Sequence, residues 1–106
     1  MGQAVSVPDT LQMVVGEVLG CTWDFKNQLQ PGDTLGSPTV AIVNLITNET
    51  VPTAVTNAPF VLNGTIVNAT LSAAPLRPRT NYLCTVTGVV SSGGVSALTT
   101  IVKVIF

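Results

Sequence analysis

Two runs near the C-terminus constrain the fold more than any other feature. In NYLCTVTGVV (Asn81 to Val90) and VSALTTIVKVIF (Val95 to Phe106), apolar and polar residues alternate with a period of two. Many of the apolar positions are Val or Ile, whose branching at Cβ suits a pleated strand better than a helical turn. Between the runs, Ser91-Ser92-Gly93-Gly94 supplies two glycines for the positive φ that tight hairpins need. The pattern predicts a β-hairpin.

Similar runs continue upstream. SPTVAIVNLIT and TVPTAV surround Asn48-Glu49, FVLNGTIVNATLS breaks at Asn63-Gly64, and AAPLRPRT forms a Pro-interrupted loop leading to Tyr82. Asn-Gly between alternating runs is a strong hairpin signal. From Leu11 to Leu19 the apolar spacing also fits a helix starting at Asp9 or Thr10 and stopping at Gly20. Gly16 and three valines weaken that helix, so the segment is assigned as a strand with a short helix as the alternative. About seven short strands without a convincing helix predict an all-β fold, an antiparallel immunoglobulin-like two-sheet sandwich. The expected organisation is an N-terminal arm at residues 1–10 followed by a single β-sandwich domain at 11–106.

Composition narrows the setting. A chain of 106 residues suits one domain with a real core. Charged residues make up 8% of it, and Lys26, Arg77, Arg79 and Lys103 are scattered, so no cationic stripe is available for phosphates and nucleic acid is not an expected partner. No apolar run reaches the roughly 20 residues that span a bilayer, so no membrane partner is expected. The start also lacks the pattern of a signal peptide. Met1 to Ser6 fits the myristoylation pattern and three Asn-x-Thr triplets fit glycosylation sequons, but both are read as coincidence and as turn and strand chemistry.

The segment CTWDFKNQLQPGDTLGS, Cys21 to Ser37, collects unusual residues. Alternation places Cys21, Trp23 and Phe25 on a core face and Thr22, Asp24 and Lys26 on the other. In Gln30-Pro31-Gly32-Asp33, Pro31 and Gly32 specify a type II turn, and Asp33 can hydrogen-bond the local backbone. Cys84 shares a face with Tyr82 and Val86, so Cys21 and Cys84 can reach one interior, as free thiols or as a disulfide. A Tyr two residues before a late Cys matches the tyrosine corner of immunoglobulin-like strands, although Trp23 follows the first Cys by two residues instead of sitting on the next strand.

Catalytic chemistry is sparse. The chain has no His, which removes Ser-His-Asp and Cys-His catalysis and the commonest zinc ligand. No phosphate-binding loop or calcium loop is present. A carboxylate pair of Asp24 and Asp33 is the remaining catalytic option, and both are read as solvated strand and turn residues. No enzyme activity, cofactor or metal is expected.

Several strands are apolar on both faces. In TVAIVNLI one face carries Val40, Ile42 and Ile46 and the other Ala41, Val43 and Leu45; in the last strand Ile101 and Ile105 lie opposite Leu98, Val102, Val104 and Phe106. A two-layer sandwich has one interior, so the surplus implies a second cover or scattered surface valines on a Thr-rich sheet. Val40, Ile42, Ile101 and Ile105 are the candidate interface.

Trp23-Asp24-Phe25, Leu29 and Gly32-Asp33-Thr34-Leu35, followed by Asn81-Tyr82 and a Gly-turned terminal hairpin, resemble small tailed-bacteriophage virion proteins with an immunoglobulin-like or related β-sandwich. The likeness runs from Cys21 onward and departs at Leu76-Arg77-Pro78-Arg79-Thr80, where a short Gly-rich turn is expected. It implies a non-enzymatic structural virion protein, first a capsid decoration or cement protein acting through protein–protein contacts. The alternative is a fibre or adhesion-type module that recognises carbohydrate or a host surface. Implied partners are the major capsid protein or other virion proteins, with the chain homo-oligomeric or lattice-bound. The implied location is the virion, assembled in the bacterial host cytoplasm, with Met1 to Pro8 as a strap over a neighbour.

Overall fold

A computed structural model describes residues 5–6 and 10–105. Its strands are β1 (Val5–Ser6), β2 (Thr10–Val14), β3 (Val18–Asp24), β4 (Leu35–Asn44), β5 (Phe60–Leu62), β6 (Ile66–Ser72), β7 (Asn81–Val90) and β8 (Val95–Ile105). They form two four-stranded sheets, ordered β1-β3-β6-β5 and β2-β8-β7-β4. The chain is an all-β immunoglobulin-like sandwich, with seven strands of three or more residues and the two-residue β1. Its N-terminal portion is divided between the layers, β1 pairing in parallel with β3 and β2 in parallel with β8. All other strand pairs are antiparallel. Of the expected arm at 1–10, Val5–Ser6 and Thr10 lie in strands; the rest of that arm, including most of the expected strap, and Phe106 fall outside the described residues.

The turns follow their residues. Gly32 takes φ +88°, and the Asp33 amide donates to the Gln30 carbonyl at 3.0 Å. Asn63 and Gly64 both take positive φ, at 53° and 76°, between β5 and β6. A side chain at Gly64 would also meet the Thr34 methyl, at 2.9 Å, where the Leu35 amide donates to the Gly64 carbonyl. The β7–β8 hairpin turns at Ser91 to Gly94 as the alternation predicts.

Two expectations change. TVPTAV is not a strand: Pro52–Ala54 forms a 3-10 turn between single bridges at Val43↔Thr50 and Val55↔Leu71. Pro52 has no amide to give a ladder and its fixed φ favours the turn. Leu11 to Leu19 is neither one strand nor a helix, because Gly16 at φ +81° turns the chain from β2 in one sheet to β3 in the other.

The core lies between the sheets and contains Trp23, Phe25, Met13, Ile42, Leu71 and Tyr82 among its largest buried side chains. Cys21, Trp23 and Phe25 all face it, and so do Tyr82, Cys84 and Val86. Trp23 on β3 crosses the interior to donate from Nε1 to Thr100 Oγ1 on β8 at 3.1 Å, which joins the two layers through a buried polar contact. Tyr82, at the start of β7, accepts from the Arg77 amide at 2.9 Å through its hydroxyl. That is a tyrosine corner, tying the loop before β7 to the core.

The loop after β3 docks on the β7–β8 turn. Ser92 Oγ donates to Asp33 Oδ2 at 3.1 Å, the Thr34 amide donates to Ser91 Oγ at 3.0 Å, and the Ser91 amide donates to the Thr34 carbonyl at 2.8 Å. At the outer edge of its sheet, β4 carries a register shift between Gly36 and Thr39, where Pro38 lies and Ser37 takes φ 46°.

Replacing Thr100 by Val preserves shape and leaves the Trp23 N–H buried without a partner, which costs about 1–3 kcal/mol. Urea unfolding followed by Trp23 fluorescence will show a lower midpoint with an unchanged slope.

Candidate interaction face

The register of the second sheet sorts its side chains by direction. Val40 pairs with Val86 and Ile42 with Cys84, and both partners are fully buried. Ile42 is itself only 2% exposed, and Val40 packs against the core. These two expected interface residues therefore point inward, a correction that follows from the parity of β4. Ile101 and Ile105 are half-buried and lie on the opposite, outward face.

That outward face is built in cross-strand rows. Val43, Leu83, Ile101 and Thr10 form one continuous row across all four strands. Next come Ala41, Thr85 and Thr99, then Thr39, Thr87 and Ala97, with the Thr39 and Thr87 hydroxyls hydrogen-bonded to each other. Val89 and Val95 end the face on one side, 47% and 68% exposed. On the other side lie the row Asn81, Lys103 and Gln12 and then the pair Ile105 and Val14. Lys103 is the single charged side chain in these rows. Leu83 and Val43 complete the apolar row, and Leu83 could have been read from its parity opposite Tyr82 and Cys84.

The outer face of the first sheet differs. Thr22, Asn68 and Thr70 occupy its centre, the row Asp24, Ile66 and Leu62 and the exposed Val18 lie at its two ends, and Phe60 is exposed beside Asn68 on the short edge strand β5. Its middle is polar, as expected of a face left to water.

The remaining candidate residues act locally. Asp24 Oδ1 accepts from the Lys26 amide at 2.9 Å, and Asp33 accepts from Ser91 and Ser92, so each carboxylate holds a loop. Pro31 and Gly32 form the corner beside Asp33. Among the described residues, no group of three or more His, Cys, Asp or Glu side chains is placed to hold a metal ion.

Cys21 and Cys84 are buried free thiols. Burial, and then the charge of Glu17, pushes Cys21 up to about 11. Burial, and then neighbouring Cys21, pushes Cys84 up to about 12. Both are poor nucleophiles at neutral pH, since the thiolate is the reactive form.

No protein-family model matches the chain, and no curated protein matches its sequence. The class of protein defined by its own geometry is an immunoglobulin-like β-sandwich with one broad, nearly uncharged sheet face.

The raised thiol values set a pH dependence. The folded state keeps protons that the unfolded chain releases near pH 9.0, so this stability is fully present below pH 9 and is lost as pH rises through about 11 and 12. Urea midpoints will hold steady up to pH 8.5 and then decline, with a shallower decline in a Cys21→Ala/Cys84→Ala variant. A thiol reagent at pH 7.5 will label both cysteines only after denaturation.

Proposed function

We propose that this protein is a non-enzymatic structural component of a tailed-phage particle, a decoration or cement protein that lies against other virion proteins and stabilises the shell. The observation that carries the reading is the outward face of the β2-β8-β7-β4 sheet, where Val43, Leu83 and Ile101 run side by side and Lys103 is the sole charge. The resemblance of Trp23-Asp24-Phe25 and Gly32-Asp33-Thr34-Leu35 to small virion sandwiches supplies the setting.

The dimensions support a docking role. Strands rising about 3.3 Å per residue and spaced about 4.8 Å apart give this face roughly 600 Å², near the roughly 800 Å² per partner of a standard interface. Covering it removes apolar area from water at roughly 25 cal/mol per Å², while the Thr rows give hydroxyls to a partner without bringing charge. Glycan recognition, the alternative, relies on exposed aromatic platforms. Trp23, Phe25 and Tyr82 are buried, which leaves Phe60 among the described aromatic residues.

An antibody against the recombinant protein will label the outside of purified particles in immunogold microscopy. A Leu83→Asp variant, which avoids placing like charges opposite each other in the β7–β8 register, will remain folded with a lowered melting temperature and be missing from those particles. Absence of the wild-type protein from particles, or full incorporation of the variant, would overturn the reading; glycan-array binding lost on Phe60→Ala would favour adhesion instead.

A further inference from the structure

We propose that the cleft at the Arg79 end of this face receives an Asp or Glu side chain from an apolar segment of a different protein, so that the docked surface is apolar and acidic. The inference rests on the reading of the outward face as a docking surface and specifies the chemistry of its partner.

The cleft, of about 620 Å³, is open to solvent and has Gln12, Lys103, Asn81 and Ile105 along its sheet side and Pro78 and Arg79 from the loop before β7. Lys103 pairs in register with both Gln12 and Asn81, so one cation and two amides stand in a single row directly beside the row of Leu83 and Ile101. The two rows are neighbours, so one partner can cover the apolar row and the cleft together.

The loop that brings Arg79 is held in place. Tyr82 accepts from the Arg77 amide, Thr80 Oγ1 donates to the Pro78 carbonyl at 3.0 Å, and the Val104 amide donates to the Thr80 carbonyl at 3.1 Å. Arg79 takes φ 53°, in the left-handed region that a long side chain seldom adopts. Two of the four Lys and Arg residues of the chain thus line one cleft, and among the described residues no acidic side chain lines it. Both are exposed, and among the described residues no hydrogen bond or ion pair occupies either cation.

Charge selects the partner. Two copies packed by this face would either bring two Lys103 and two Arg79 side chains together or, in the reversed arrangement, set each Lys103 against the Val89 and Val95 end of the other copy; in both, the face rows contain no carboxylate to meet the cations. Enclosing a cation without a counter-charge is unfavourable, whereas a carboxylate can take a forked pair of hydrogen bonds from Arg and a point charge from Lys. A different protein with an acidic side chain within an apolar strand satisfies the apolar row and the cleft together.

The test uses ¹⁵N-labelled protein and two capped Val/Thr pentapeptides that differ only in a central Glu or Gln. The Glu peptide is expected to shift the amide signals of Asn81, Lys103 and Ile105, to weaken as salt rises, and to bind at least about tenfold more tightly than the Gln peptide. Arg79→Gln/Lys103→Gln should erase the difference between peptides, and Leu83→Ser should weaken both equally. Equal binding of the two peptides, or no movement of those signals at millimolar peptide, overturns the cleft proposal. Equal binding that Leu83→Ser still weakens leaves the docking face standing, whereas binding indifferent to Leu83→Ser removes the face reading itself. In sedimentation, the protein alone is expected to be monomeric; a dimer lost on Leu83→Ser would show that a second copy occupies the face.

Discussion

The structure depends on closing two sheets over one interior, and the buried hydrogen bond from Trp23 to Thr100 is where that closure is most specific. Hydrophobic burial is non-directional and would accept several ways of stacking the layers. An indole N–H in a dry core accepts very few, because leaving it unpaired costs more than the bond itself returns. Trp23 sits two residues from Cys21 on β3, and Thr100 pairs across β8 with Cys84 on β7. One contact therefore sets the facing of three strands. The tyrosine corner at Tyr82 repeats the device at the sandwich end, where it orders the loop carrying Arg77 to Thr80.

Once the inner side of the β2-β8-β7-β4 sheet is committed to the core, period two commits the other side to the surface. Ile42 inward makes Val43 outward, and Tyr82 and Cys84 inward make Leu83 outward. The broad face is thus a direct result of apolar residues at consecutive positions on strands that can bury only alternate ones. Charge does not separate it from the outward face of the other sheet, since each carries one charged strand residue, Lys103 here and Asp24 there; the difference is at the centre, where the other sheet holds Thr22, Asn68 and Thr70.

Much of the fold was readable before any coordinates. Clean alternation gave away β7, β8 and the inward side of β3, and Asn63-Gly64 and Pro31-Gly32 gave away their turns through backbone chemistry that is wholly local. What failed was parity in β4. Val40, Ala41, Ile42 and Val43 are all apolar, so nothing within the strand says which side is buried, and pairing with Cys84 and Val86 decides it. The division between β2 and β3 hung on Gly16 alone, amid valines whose spacing suited a helix as well. The role of Asp33 depended on Ser91 and Ser92, more than fifty residues away. The cleft was hidden for the same reason, since Arg79 and Lys103 come to line one cleft only after β7 and β8 have paired.

The irregular stretch of β4 around Pro38 has one more effect. A ladder can be lengthened sideways only where consecutive amides and carbonyls lie free along a straight border. Pro38 withholds an amide there, the register shift bends the border, and residues 49–51 already bond to Ile42 and Asn44 farther along. Lateral recruitment into continuous cross-strand ribbons, the route by which sticky β-proteins polymerise, is blocked on that flank.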